Sequence, residues 1–268
     1  MITVRLLNEQ KETINEHHHL KEAYLAYKNR SYNEGEIIQI ESDKKDTFIW
    51  VQVDSSLCPS LIYMKNKIFE FPILFDHQMK QAYPPSLFTG EDHYIRAFTA
   101  SDEEIYAYRN LSLNPHDQKH ETGAYPHAYA NVETRNDSTF FARNAIDGII
   151  ANENHGPYPY QSWGINQQKD AQITIDFGRE VEVDKLAIVL RGDYPHDSYW
   201  KQATIEFSDE TTHLIELTNA LDRQYFSFTP KKTSRITMKN LIKHEDESPF
   251  PALTQLEVYG KEMKDTLN

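Results

Sequence analysis

Arg143-Asn144-Ala145-Ile146-Asp147-Gly148 is a turn of small, polar and acidic residues that ends on glycine. Tyr160-Gln161-Ser162-Trp163 follows it, and then Ile173-Thr174-Ile175-Asp176-Phe177-Gly178. The last stretch alternates apolar and polar side chains, the period of a half-buried strand, and stops at a glycine. Leu256-Glu257-Val258-Tyr259-Gly260 alternates in the same way near the end of the chain. A turn, a tryptophan and two alternating strands in this order form a series, which says more than any one of its members.

Outward from that series, the second half predicts strands over 172–177, 185–190, 203–207, 213–217, 224–229, 235–238 and 253–259. The first half predicts strands over 36–41, 47–54, 61–64, 68–73, 94–100 and 105–108. Short strands separated by polar turns point to an all-β sandwich. One segment reads differently. Thr13-Ile14-Asn15-Glu16 has the form of a capping box, and Leu20, Ala23, Tyr24 and Tyr27 follow at helical spacing. This predicts a helix over 14–28. Residues 112–128 are polar and turn-prone and read as a linker. The expected organisation is therefore two tandem β-sandwich (jelly-roll) domains with a short N-terminal helix. The first spans 1–118 with the start of the linker, the second 119–262, and 263–268 is a frayed tail.

Composition sets outer limits. The chain has 268 residues, a net charge of −13, and 39 % hydrophobic residues, enough to bury a core. The acidic balance argues against nucleic acid or an anionic membrane as the partner. No stretch is long and apolar enough to span a bilayer, and 1–8 is too short for a signal peptide. Cys58 is the one cysteine, so no intrachain disulfide forms. It reads as a buried small hydrophobe. A cytoplasmic setting is expected.

The series of turn, tryptophan and strands resembles the galactose-binding-like fold. More narrowly, it is similar to the discoidin or coagulation-factor 5/8 C-type module and its carbohydrate-binding relatives, over residues 130–260. The resemblance implies a β-sandwich that binds a ligand and does no chemistry on it. It implies that Trp163 is packing. In many carbohydrate-binding members a structural Ca²⁺ sits where the Asp-Gly loop meets the last strand, and the matching positions are Asp147 and Glu257. Calcium takes several oxygen ligands, carboxylates and backbone carbonyls together. The chain departs from the family after Gly148, where Ile149-Ile150-Ala151 replace a polar loop. The alternative is that Asp147 caps a turn and Glu257 pairs with a neighbour.

Three loops hold the residues a sugar needs: 155–163, 191–200 and 244–251. An aromatic ring packs on the apolar face of a pyranose, and Arg, Asp and His hydrogen-bond its hydroxyls. Arg191, His196 and Trp200 are the first candidates, with Asp193, His155 and Tyr160 next. His17-His18-His19, if helical, would diverge too far to chelate one metal. No nucleophile elbow, dinucleotide loop, phosphate loop or zinc-protease motif is present. The expected function is non-catalytic carbohydrate binding. Two alternatives stay open. One is a cytoplasmic sugar-processing hydrolase or lyase with a site between the domains. The other is an interaction or self-assembly module, a homo-oligomer included, using Tyr63, Phe69, Phe71 and Phe75.

Overall fold

Alternating β-branched and aromatic residues build antiparallel sheets throughout the chain, as a computed structural model shows for residues 1–193 and 196–264. Residues 265–268 of the expected frayed tail lie outside the described residues. In the first half, a four-stranded sheet has the order Thr13–His19, Ile2–Leu7, Ile37–Ser42, Ile68–Pro72. A five-stranded sheet has the order Ala124–Tyr125, Ser60–Met64, Thr47–Gln52, His93–Thr99, Glu22–Tyr27. One core lies between them, with Val4, Ile38, Ile40 and Phe69 from one sheet and Leu25, Ile49, Val51, Ile62 and Ile95 from the other.

The expected helix over 14–28 is not formed. Thr13–His19 pairs with Ile2–Leu7, and Glu22–Tyr27 pairs with His93–Thr99. Ala23 and Leu25 are buried while Glu22, Tyr24 and Ala26 are exposed, a period of two that the helical spacing had masked. Leu20, counted as part of the apolar helix face, sits in the connection between the two sheets and is 75 % exposed. The capping-box rule applies elsewhere. Ser101 caps the short helix Asp102–Tyr106 with Glu104 as its reciprocal partner, in the segment expected to begin a strand at 105.

The second half is one eight-stranded antiparallel sheet folded over a second core. Its spine is the pair of long strands Ile173–Leu190 and Gln224–Lys243. Their register breaks between Asp176 and Val181 and again between Val183 and Lys185, and such bulges bend a strand. Trp163 and Trp200 pack at the centre of this core, ring centroids 6.2 Å apart. Gly260 explains the end of the last motif. A Cβ there would lie 2.1 Å from the carbonyl oxygen of Glu182 on the neighbouring strand.

Residues 112–128, expected as a linker, are a buried seam. Ser112, Asn114, His116 and Asp117 are all buried, and every one makes a side-chain hydrogen bond. The His116 Nε2 accepts the Val53 N–H at 3.4 Å, so Nδ1 carries the proton toward Ser60 Oγ at 2.8 Å. Arg143 donates to the carbonyls of Asp117 and Pro115 and lies over the Tyr83 ring. Nearby, Arg179 pairs with Glu262 and covers Phe48 and Tyr63, tying the last strand to the five-stranded sheet. Tyr63, Phe69 and Phe71 are buried, so of the expected aromatic interaction cluster only Phe75 is exposed. Cys58 is exposed in a connection, not buried as expected. Among the described residues, no helix is long and apolar enough to cross a membrane.

Two outcomes follow from this packing. Gly260→Ala forces two strands apart and lowers stability by about 1–3 kcal/mol, read from the midpoint of urea denaturation. Burial, with the charge of Arg143 adding to it, holds the His116 pKa down at about 3. A depressed imidazole stabilises the fold fully above its unfolded pKa of about 6.5 and loses that contribution as pH falls. The stability gap between the native chain and His116→Gln therefore shrinks by about 2 kcal/mol between pH 7 and pH 5. Parallel denaturation curves at the two pH values measure it.

Candidate functional site

Three loops meet at one end of the second core because backbone and amide bonds stitch them together. The Arg191 N–H donates to the Ala252 carbonyl at 3.1 Å, and the Gly192 N–H to the Asn152 carbonyl at 2.9 Å. The Asn152 amide in turn donates to the carbonyls of Leu190 and Leu221, at 2.7 and 2.8 Å. Loops carried on a rigid sheet end are a common place for binding residues, since the scaffold fixes their spacing.

Asp193 organises what these loops present. Its Oδ2 accepts from His155 Nδ1 at 2.6 Å and from His196 Nδ1 at 3.2 Å. The two imidazoles meet edge to face with centroids 4.7 Å apart. Its Oδ1 lies 2.6 Å from Arg191 Nε. That contact is an ion pair and not an aligned hydrogen bond, since neither atom has a hydrogen-bond partner of proper geometry. Arg191 and Asp193 are both buried, so each needs the other's charge. Burial pulls the Arg191 pKa down and Asp193 pulls it back up, with the guanidinium remaining charged. Arg191 Nη2 also donates to the Phe250 carbonyl at 2.7 Å, which fixes the third loop against the second.

Above this group is a cavity of about 360 Å³. Arg191, His155 and His196 line it together with Phe250, Arg135 and Asn166. The volume is within the range of small-molecule sites. The His196 ring lies 5.8 Å from the Phe250 ring, and the Arg135 guanidinium lies 5.7 Å over Phe140. Arg191, Asp193, His155 and His196 are thus brought together.

Trp200 and Tyr160 are not part of the group. Trp200 is 1 % exposed and belongs to the core. Register breaks between Trp200 and Gln202 and between Gln202 and Thr204 turn it inward, where strict alternation back from Phe207, Ile205 and Ala203 would have placed it outward. Tyr160 is half-buried, takes part in a turn to the Pro157 carbonyl, and does not line the cavity. Reading the sequence missed Arg135, Phe140 and Asn166. Asn166 and Gln167 both have positive φ, 48° and 59°, and their polar turn was the available signal. Phe250 was within a quoted loop but was not singled out.

Asp147 and Glu257 are engaged by separate partners. Asp147 Oδ1 accepts the Ile149 N–H and the Gln255 amide, each at 2.8 Å, and Oδ2 accepts the Gln161 amide at 2.7 Å. Burial raises its pKa to about 6 against the opposing pull of Arg143 and these donors. Glu257 takes Arg223 Nε on both oxygens at 3.0 Å, and the Tyr259 hydroxyl at 2.8 Å. The pair as built closes a turn and an ion pair, and this donor set does not fit a calcium ion, which needs converging free oxygens. Adding excess Ca²⁺ accordingly leaves the melting temperature unmoved. A rise that scales with calcium concentration would reinstate the ion.

No protein-family model matches the chain, and no curated protein matches it. Solved structures do. A chitosan-binding module of a chitosanase/glucanase from Paenibacillus sp. IK-5 is 18 % identical, covering 57 % of this chain and 99 % of that one with a TM-score of 0.39. The family 32 carbohydrate-binding module of NanJ from C. perfringens, solved with galactose, is 18 % identical over 49 % of this chain and 91 % of its own, with a TM-score of 0.38. A fucose-binding module from Streptococcus pneumoniae is 16 % identical over 57 % and 99 %, with a TM-score of 0.40. The chain is thus similar, over about half its length, to solved carbohydrate-binding modules.

Proposed function

We propose that the loop-end cavity binds a saccharide and performs no chemistry on it. The observation that carries this reading is the grouping of Arg191, His155 and His196 around Asp193, beside the half-open ring of Phe250, in one cavity. A buried, preoriented guanidinium donates to neighbouring hydroxyls at small entropic cost. Each imidazole has its Nδ1 held by Asp193, which leaves Nε2 to accept from a hydroxyl. Phe250 is 40 % exposed and offers a face for the C–H side of the ring.

The hydrolase alternative has no comparable support. Two cavities between the halves have no carboxylate in their lining, and in a third, beside Tyr106, the carboxylates of Glu182 and Glu262 are held in ion pairs with Lys261 and with Arg109 and Arg179. Glycoside hydrolysis needs a pair of them across the bond.

A panel of monosaccharides and short oligosaccharides, screened by array and then by calorimetry, tests the proposal. At least one sugar is expected to bind. Arg191→Lys keeps the charge but loses the fork, and should weaken binding by about 10–100-fold. Phe250→Ala should weaken it by about 3–10-fold, and Tyr160→Phe should leave it unchanged. Intact folding with no sugar bound, or binding indifferent to both Arg191→Lys and His155→Ala, sinks the reading.

A further inference from the structure

We infer that His155, Asp193 and His196 form a site for a divalent transition-metal ion of the zinc class. The three side chains each offer one ligand atom, and these atoms lie within 4.8 Å of one another. Among the described residues no other group of three or more His, Cys, Asp or Glu side chains meets that condition. The inference needs no sugar and does not depend on the saccharide reading.

The chemistry of the set selects the metal. Two imidazoles and one carboxylate are ligands for zinc, cobalt or nickel, whereas calcium and magnesium prefer oxygen alone. Metal–ligand bonds of about 2.0–2.2 Å in a tetrahedral site place ligand atoms about 3.3 Å apart. Asp193 Oδ2 is 3.2 Å from His196 Nδ1 and 2.6 Å from His155 Nδ1. Closing that geometry on an ion asks His155 to swing outward from Oδ2, with the three ligand atoms already within 4.8 Å of one another. Its side chain is the more exposed of the two rings, at 39 % against 29 % for His196.

The surroundings also suit an ion. Three protein ligands leave a fourth position, and the cavity lined by His155 and His196 is where it opens. Arg191, paired with Asp193 Oδ1, orients the carboxylate from behind, as outer-shell partners of metal ligands do. Without metal, each Nδ1 carries or shares a proton toward Asp193. An incoming cation bonded through Nδ1 takes the lone pair there, and the proton of each neutral ring moves to Nε2. Protons compete with the ion for the ring nitrogens, so binding is weaker at low pH.

The test is calorimetric titration of the full chain with Zn²⁺, and with Co²⁺ as a spectroscopic probe. His17, His18, His19 and the exposed Cys58 could hold metal on their own, so a background of H17A, H18A, H19A and C58S is used throughout. One ion per chain is expected, with the visible absorption of four-coordinate Co²⁺. His155→Ala and His196→Ala should each weaken binding at least tenfold. Arg191→Gln, a positioning change, should weaken it about 10–100-fold. Circular dichroism checks that each variant is folded. Zn²⁺ binding that is equal in the background and in its His155→Ala/His196→Ala form overturns the inference, as does Co²⁺ binding with only the octahedral, solvent-like spectrum. Should zinc bind while every sugar fails, the saccharide reading falls and the metal site stands; the converse result separates them the other way.

Discussion

Buried polar groups must find partners inside the protein, and that requirement is met here mainly along one seam. Ser112, Asn114, His116 and Asp117 carry it on the chain between the two cores, and Arg143 answers from the far side. Asn114 alone donates to the Pro126 carbonyl and accepts the His116 N–H, holding the segment folded back on itself. Asn144 donates to the carbonyls of Ser138 and Ser162, so the motif turn and the loop leading to Trp163 share one polar anchor. Leaving any of these groups unpaired would cost about 1–3 kcal/mol. The loops of the cavity are extensions of elements that this seam positions.

A similar economy governs the cavity itself. One carboxylate, Asp193, takes contacts from Arg191, His155 and His196. Buried ion pairs contribute little net stability, because desolvation offsets attraction. Their value is positional: a single acidic group on one loop sets the direction of three basic side chains drawn from two loops.

The sheets were largely legible in the sequence, and the side-chain partners were not. Most strands of the second half were plain from alternation, because residues such as Ile173, Ile175 and Phe177 face a core at every second position. Thr13–Tyr27 misled because Ala23 and Tyr27 fit both the helical spacing with Leu20 and Tyr24 and the period of two with Leu25, and pairing with Ile2–Leu7 and His93–Thr99 decided between them. The polar residues of the seam looked like solvent-facing linker because composition records polarity but not the partner that buries it. Arg191, Asp193, His155 and His196 could be chosen from loop chemistry alone. Trp200 could not be placed, since a bulge flips the facing of a strand without leaving a mark in the alternation beyond it.

The seam has a bearing on how the protein can be handled. A break between residues 118 and 119, where composition shifts, would separate Asp117 from His127 and Ala128, which hold its carboxylate. It would also part Asp117 and Pro115 from the guanidinium of Arg143. Two fragments made at that point would each begin life with exposed apolar surface and stranded donors. Dissection by truncation is therefore a poor instrument for this chain, and point substitution within the whole polypeptide is the sounder way to assign its parts.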